Sequence, residues 1–262
     1  MKKIVSFFGI FALIAGFVTS CGDDDDDEVF VQKKLVKLTN GDEISEFKYD
    51  SEGRCIAYSF RNENINFKNS YKYEGNTITI ESDNNGSPET YSATLNSKGY
   101  LETRDFFVGN SKDRFKYEYD NQGYLIAEYL FYENGRVDTT MKCEWENGNL
   151  VRVKKNNGNS IITYKYTNKN HTKPIENRSG LQFFSPYDFD SALDGLLGKP
   201  CKNIPVSYVF DYICSEGETD IVLINTKGSE TASQWMFDKD SYPTNVKYDN
   251  GNGERTANFV WE

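Results

Sequence analysis

Turn glycines recur along this chain at nearly constant intervals, and this repeat restricts the fold more than any other feature of the sequence. Gly53, Gly75, Gly99, Gly123 and Gly148 are separated by 22, 24, 24 and 25 residues. A period of this length holds two short strands and a tight turn, so each repeat unit is predicted to be one β-hairpin. Because the connections are short, successive strands should be antiparallel neighbours. The repeat therefore predicts a long antiparallel meander.

The segments beside the turns alternate between apolar and polar residues with a period of two. Phe115, Tyr117 and Tyr119 fall on one face of a predicted strand, whereas Arg114 and Lys116 fall on the other. The pattern predicts roughly 14 to 17 strands, more than the ten or so that a strongly twisted open sheet carries. The predicted fold class is all-β: an antiparallel meander of repeated hairpins that forms a barrel-like or strongly curved sheet.

One short helix interrupts the strand pattern near residues 186–197. Ser185 and Pro186 are typical of an N-cap followed by proline at the first helical position, and Gly198 ends the apolar helical pattern. We expect this helix to plug or cover one end of the sheet. Since the sequence of residues 33–262 contains no low-complexity linker, we expect these residues to form a single β-meander domain.

The composition supports strands over helices and excludes several classes of protein. Hydrophobic residues make up only 37% of the chain, yet Tyr and Phe occur 18 times each. Aromatic side chains favour strands, and soluble domains usually hold about 45–50% apolar residues. A helical bundle and a polytopic helical membrane protein are therefore excluded. The formal net charge is −10 and the sequence has no basic stripe, so nucleic acid is not an expected partner.

Residues 1–20 are predicted to be a lipoprotein signal peptide. Lys2 and Lys3 precede an apolar stretch that is too short for a comfortable membrane span, and Val18-Thr19-Ser20 stand directly before Cys21. Small residues before a cysteine are what lipoprotein signal peptidase recognises. We expect Cys21 to become the lipidated first residue and to hold the protein on a membrane.

An acidic run follows the cysteine directly: Asp23, Asp24, Asp25, Asp26 and Asp27. Like charges repel one another, so residues 21–32 are predicted to form a solvated tether after the lipidated cysteine. A lipidated cysteine followed at once by acidic residues resembles the surface-export signal of Bacteroides-type lipoproteins. That resemblance implies a lipid-anchored outer-membrane protein exposed at the cell surface. A plain spacer on a lipoprotein that faces the periplasm is the alternative.

The residues that usually carry enzyme chemistry are scarce. His171 is the one histidine, and the sequence has no nucleophile elbow, no paired zinc ligands and no phosphate loop. We therefore predict no catalytic residue, no metal and no cofactor. A carboxylate pair can hydrolyse glycosides without histidine, so a carboxylate-dependent glycoside hydrolase stays an alternative.

Four cysteines remain after lipidation, an even number that is compatible with disulfides outside the cytosol. Three pairings of the four are possible. Cys201 and Cys214 close a short loop, and we take a disulfide between them as the candidate bridge. Cys143 shares a strand face with Met141 and Trp145, so we expect it to be a buried thiol.

Three motifs together resemble one lipoprotein family of Bacteroides-type bacteria. The motifs are the hairpins with Tyr-x-Tyr-Asp-x-x-Gly, the segment Leu197–Pro205, and the late turn Asp240-Ser241-Tyr242-Pro243-Thr244. The family is described as a domain of unknown function with a porin-like fold. The resemblance implies an antiparallel barrel-like β-fold and supplies no activity and no catalytic residues. Ser241 stands where the hairpin motif has glycine, which leaves the type of that turn open.

Two short segments, Asp138-Thr139-Thr140 and Asp190-Ser191-Ala192, resemble O-glycosylation sites of Bacteroides-type secreted proteins. The resemblance implies Thr139 and Ser191 as candidate acceptors. A coincidental match of three residues is the alternative.

The expected function is that of a non-enzymatic cell-surface lipoprotein that binds a glycan or a protein. Tyrosine and tryptophan rings stack on sugars, although the low aliphatic content requires most rings in the core. A structural envelope subunit is a further alternative. A membrane pore is not expected, since charged residues such as Arg114, Lys116 and Glu118 at mid-strand would be costly against lipid.

Overall fold

The computed structural model describes residues 33–108, 111–155, 160–166, 191–214, 224–249 and 253–262. Lys33–Glu262 forms one compact unit, with sixteen strands within the described ranges. The strands are β1 Leu35–Asn40, β2 Glu43–Tyr49, β3 Cys55–Arg61, β4 Asn66–Glu74, β5 Thr77–Asn84, β6 Ser87–Leu95, β7 Leu101–Val108, β8 Ser111–Tyr119, β9 Leu125–Phe131, β10 Val137–Glu146, β11 Asn149–Lys155, β12 Ser160–Tyr166, β13 Pro205–Cys214, β14 Ile224–Phe237, β15 Pro243–Asp249 and β16 Glu254–Trp261. One short helix, α1, spans Ser191–Asp194.

Every strand pairs antiparallel with the strands before and after it in the chain. The first strand also pairs with the last, with Leu38 opposite Phe259 and Asn40 opposite Ala257, so the sheet closes on itself. The prediction of an all-β antiparallel meander with a barrel-like sheet is thereby confirmed. The observed number of strands also falls within the predicted range.

Successive turns alternate between the two ends of the barrel. The end that carries the turns at Gly53, Gly99, Gly123 and Ser241 is called the repeat end below. These turns share one geometry: in the copy at Asp120, the carboxylate accepts hydrogen bonds from the backbone N–H groups of Gln122 and Tyr124, each at 2.9 Å. The N–H of Gly123 also donates to the carbonyl of Asp120 at 3.1 Å.

The late turn keeps the same geometry without glycine. Asp238 accepts from the N–H groups of Asp240 and Tyr242 at 2.9 Å, and the N–H of Ser241 donates to the carbonyl of Asp238 at 3.1 Å. Ser241 has a φ of 66°, in the left-handed region where the other copies have glycine. Serine at position 241 in place of glycine therefore leaves the type of turn unchanged.

An aromatic side chain at the end of a strand ties each of several hairpins to its neighbour at the repeat end. The Tyr119 hydroxyl donates to the carbonyl of Leu101 at 2.7 Å, which joins the end of β8 to the start of β7. Five other pairs repeat this contact, which we call the aromatic clip: Tyr49 to Leu35, Tyr73 to Cys55, Trp145 to Leu125, Tyr166 to Leu150, and Trp261 to Pro243.

Apolar side chains on the inner faces of the strands fill the barrel. One core cluster joins residues from β3 to β12 with two residues of α1, and includes Tyr58, Phe60 and Ile80. A second cluster, with Val246 and Phe259, lies where β1 meets β16. Because aromatic rings supply much of this volume, the chain needs few aliphatic residues to build its core.

The helix and the segment after it cover the repeat end. Leu193 is buried in the core, and the segment then bonds to three barrel turns: Leu101 donates to Leu196, Lys199 to Gly123, and Lys202 to Gly148, all through backbone groups at 2.8–2.9 Å. The described helix ends at Asp194 and not near residue 197 as predicted. The next turn is tighter, with the N–H of Leu196 donating to the carbonyl of Leu193 at 2.8 Å. The predicted helix start lies outside the described residues.

The predicted disulfide between Cys201 and Cys214 is incompatible with this fold. Cys201 lies at the repeat end, with its Sγ 3.4 Å from the hydroxyl of Tyr166. Tyr166 pairs with Pro205 at the start of β13, and Cys214 ends that ten-residue strand. The ends of such a strand are roughly 30 Å apart, whereas a disulfide joins Cα atoms within about 7 Å. Cys143 packs against the core, and burial raises the pKa of its thiol to about 12.

Replacing Ser241 with glycine is expected to stabilise the protein. A left-handed backbone conformation costs a residue with a Cβ about 1 kcal/mol or more, and glycine avoids this cost. Part of the gain is offset, because glycine has more conformational freedom than serine in the unfolded chain. We expect a gain of about 0.5 kcal/mol in the free energy of unfolding, measured by urea denaturation. Gly99→Ser is the matched control: Gly99 occupies the same turn position, and an added Cβ would have no atom within 4 Å. This control should lose a similar amount, and a destabilised Ser241→Gly would contradict the assignment.

Replacing Gly198 with alanine is expected to release the covering segment. An added Cβ would overlap the carbonyl oxygen of Gly123 and lie 2.9 Å from the ring of Tyr119. Because a backbone oxygen cannot move aside cheaply, we expect a loss of about 2 kcal/mol or more in urea denaturation. Gly195→Ala is the control, since its nearest contact would be an ordinary one at 4.0 Å. Equal stability of the two variants would rule out this close contact.

Candidate functional site

The outer face of the barrel is polar along the middle of the strands. Cross-strand ion pairs join Glu144 to Arg152 at 3.2 Å and Glu144 to Lys154 at 2.8 Å. Exposed apolar side chains such as Ile56 and Ile126 lie on separate strands, whereas Phe131 on β9 stands opposite Val137 on β10. A barrel that meets lipid needs an apolar outer band, and charged residues there cost several kcal/mol, so this outer face is suited to water.

Within the described ranges, no helix is long and apolar enough to cross a membrane.

Asp105 on β7 forms the most enclosed ion-pair group described on the outer face. Its side chain is only 4% exposed and accepts from Arg114 at 2.6 Å, Lys112 at 2.9 Å and Ser92 at 2.9 Å. Burial by itself would raise the pKa of Asp105, but the hydrogen bonds from Arg114, Lys112 and Ser92 outweigh it and hold the pKa below its usual value. This group ties β6, β7 and β8 together from outside.

A groove of about 640 Å³ crosses the outer face of strands β2 to β6. Two rows of residues, each running from strand to strand in direct register, line it. The first row contains Glu46, Ser59, Lys68, Asp83 and Pro88. The second row contains Lys48, Ala57, Ser70, Glu81 and Thr90. The volume lies within the range of sites that hold small molecules or short chain segments.

Short side chains form the floor of this groove and long ones form its sides. Ala57 and Ser59 on β3, with Ser70 on β4, make up the floor. Strand β2 borders the floor on one side, and strands β5 and β6 border it on the other. The small floor residues let a ligand approach the sheet closely, while the longer side chains present amines and carboxylates around it.

Each of three carboxylates in the groove is held by a donor. Glu46 pairs with Lys37 at 3.3 Å, outside the groove. Glu81 accepts from the hydroxyl of Ser70 at 3.1 Å, and Asp83 accepts from the backbone N–H of Gly86 at 2.7 Å. These contacts fix the direction of the acceptors and leave further lone pairs for the hydroxyl groups of a ligand.

Most aromatic rings of the described strands belong to the core and not to an exposed row. Tyr58 and Phe60 on β3 are each only 2% exposed, and Tyr117 on β8 is 6% exposed. The outward residues described along the groove include no aromatic ring, and Tyr58 beneath it belongs to the core. Recognition in the groove therefore depends on hydrogen bonds and charge, and ring stacking has little part in it.

The residues singled out from the sequence do not converge in this structure. Thr139 lies half-buried on β10, well away from the groove. Ser191 begins α1, and its side chain lies outside the described part. Cys21, the acidic run from Asp23 to Asp27 and His171 also lie outside the described residues, so the predictions made for them stay predictions.

The described residues contain no group of three or more His, Cys, Asp or Glu side chains that could hold a metal ion. Sequence reasoning missed the groove altogether, because its residues lie on five strands and each is an ordinary polar strand residue by itself. Cross-strand register brings them together, and that register depends on turn types and bulges that the sequence does not show directly.

A family model described as a domain of unknown function (DUF4595) with porin-like fold matches residues 47–245, which is more than half of the chain. The match includes all strands that line the groove except the first residues of β2. A search of curated proteins finds no match.

Replacing Asp105 with asparagine is expected to destabilise the barrel in a pH-dependent way. The variant loses charge-assisted hydrogen bonds worth about 1–3 kcal/mol in total at pH 7. Since the pKa of Asp105 is lower in the folded protein, its contribution is present above the unfolded value of about 3.9 and is lost as the pH falls below it. Urea denaturation at pH 7 and pH 3 should therefore show a smaller difference from the wild type at pH 3.

The matched control is Asp42→Asn, which changes an exposed aspartate in the turn between β1 and β2. It should alter the free energy of unfolding by less than about 0.5 kcal/mol at both pH values. A difference for Asp105→Asn that stays constant between pH 7 and pH 3 would contradict the ionic role of Asp105.

Proposed function

The chain belongs to the family of domains of unknown function with a porin-like fold, and from this premise we propose that it is a non-enzymatic, lipid-anchored surface protein that binds a glycan. The binding site is the groove across β2 to β6. The observation that carries this proposal is the groove of about 640 Å³. Small side chains form its floor, and its sides carry amines, hydroxyls and carboxylates. The lipid anchor is Cys21, and the exposed location follows from the acidic run after it.

The filled interior supports binding on the outside of the barrel. Core side chains occupy the space between the strands, and the segment around Leu196 covers the repeat end. We therefore place the ligand on the outer surface, in the groove across β2 to β6. A barrel of this kind presents a rigid outer wall, which suits the recognition of a ligand without a large change of shape.

The closed sheet favours a glycan over an extended peptide. Peptides often bind by adding a strand to an open sheet edge, and the pairing of β1 with β16 removes that edge. The groove offers side-chain groups only, and these include both donors and acceptors. Such a surface matches the hydroxyl groups of a sugar chain, which are both donors and acceptors.

The position of the acids argues against hydrolysis of the bound glycan. Glycosidases place two carboxylates on opposite sides of the bond that breaks. In this groove Glu81 and Asp83 lie on the same strand and Glu89 lies on the neighbouring strand β6, whereas on the other side Glu46 is already paired with Lys37.

We would test this proposal with residues 29–262, which contain the whole barrel. The change in melting temperature is measured with a panel of neutral and acidic oligosaccharides, and each mixture is assayed for released reducing ends. We expect an upward shift with at least one glycan and no product. Released product would favour the hydrolase, and no shift with any glycan would overturn the proposal.

A variant that fills the groove tests whether the groove is the binding site. Ala57→Leu fills the floor of the groove and should weaken binding about tenfold or more, because the ligand then clashes with the new side chain. Thr163→Leu is the matched control, since Thr163 faces outward on β12 at a distance from the groove. If both variants bind alike, the groove is not the site.

A further inference from the structure

We infer that the groove selects an acidic glycan, whose carboxylate or sulfate group binds between Lys48 and Lys68. This inference rests on the proposed function and makes the class of ligand specific. Both lysines line the groove, one on β2 and one on β4. They flank the same strand, because Lys48 stands opposite Ala57 and Lys68 stands opposite Ser59.

Two of the carboxylates in the groove, Asp83 and Glu46, bond to groups other than the two lysines. Asp83 is the cross-strand neighbour of Lys68, yet it accepts from the N–H of Gly86 at 2.7 Å. Glu46 shares a strand face with Lys48, yet it pairs with Lys37 at 3.3 Å. As a result, neither Lys48 nor Lys68 forms an ion pair with any residue in the described part of the chain.

Nearby lysines of the outer face behave differently. Lys72 lies on the same strand as Lys68 and pairs with Glu74 at 2.6 Å, and Lys112 pairs with Asp105 at 2.9 Å. Two ammonium groups without an ion pair, both in the groove and both beside its small floor, are therefore available to an anionic group. Ser59, which stands opposite Lys68 on β3, adds a hydroxyl group to the same part of the groove.

The remaining groups of the groove indicate a glycan and not an acidic peptide. Glu81 and Asp83 can accept hydrogen bonds from sugar hydroxyls, which an acidic peptide such as poly-glutamate lacks. A sugar chain with one acid group on each unit presents both kinds of partner. The lysines then recognise the charge, and the carboxylates and serines recognise the hydroxyl groups.

The experiment compares ligands that differ only in charge. Binding is measured by isothermal titration calorimetry with oligogalacturonate, with its methyl ester, with a chondroitin sulfate oligosaccharide and with poly-glutamate. We expect the acidic glycans to bind at least about tenfold more tightly than the neutral ester, and their affinity to fall as salt is added. A preference between the first and third ligands distinguishes a carboxylate from a sulfate.

Three variants test the assignment of the two lysines. Lys48→Gln and Lys68→Gln should each weaken the binding of the acidic glycan about tenfold and weaken the binding of the methyl ester much less. Lys72→Gln is the matched control, because it removes a charge from the same strand outside the groove. Melting temperatures of all three variants, measured without ligand, should stay close to that of the wild type.

The possible failures differ from one another. Equal binding of the acid and its methyl ester, or wild-type binding by both groove variants, would overturn the inference and leave glycan binding intact. Tighter binding of poly-glutamate than of either acidic glycan would replace the glycan with a peptide partner. Failure of every saccharide to bind would overturn the proposed function together with the inference.

Discussion

The pairing of the first strand with the last is the contact on which the rest of this structure depends. Lys34 and Glu262 exchange backbone hydrogen bonds of 2.6 and 3.0 Å, and the Tyr248 hydroxyl donates to Asn40 across the same region at 2.9 Å. Lys33 adds ion pairs to Asp238 and Asp240 at the repeat end, and these hydrogen bonds raise the pKa of its ammonium group. Without this seam, a sixteen-strand sheet would expose two unpaired edges and one wet inner face. Because the sheet is closed, the inward side chains belong to the core, and the outward side chains are the ones left to bind a ligand.

Each residue type in the sequence repeat has its own structural role. The aspartate organises the turn through its carboxylate, and glycine supplies the left-handed backbone. The aromatic residue directly before the aspartate has a separate task, because its hydroxyl or ring nitrogen bonds to the start of the preceding strand. Tyr119 and Trp145 do so with different donors, at 2.7 Å in both cases. Tryptophan can therefore replace tyrosine in the aromatic clip. The turn at Gly148 itself is of another type, because Glu146 pairs with Asn149 and both Asn147 and Gly148 have positive φ.

Much of the fold could be predicted from the sequence because its information is local. Turn spacing and two-residue alternation determine the hairpins, the antiparallel order and the approximate number of strands. Predictions failed where the answer depends on distance along a strand or on partners far apart in the chain. Cys201 and Cys214 look close because a short segment joins them, but that segment is an extended strand. The described helix ends at Asp194 and not near residue 197, where a tighter turn follows it, with the Leu196 N–H bonded to the carbonyl of Leu193. The sequence did not indicate Lys48 and Lys68 as binding residues, since their lack of an ion pair depends on which groups the neighbouring carboxylates bond.

The groove is the place where the outer face departs from what strand stability alone would select. Elsewhere on the same sheet, outward positions carry threonine or long charged residues, as at Thr79, Thr94 and Thr103, which suit a strand. Ala57 is a poorer strand residue, and with Ser59 it opens a depression that contributes nothing to the core on the other side of the sheet. Because the inner face already determines the fold, outward residues can change at a cost of about 0.5 kcal/mol or less. Small residues at the floor, beside lysines without an ion pair, are then best explained by a ligand that occupies the space they leave.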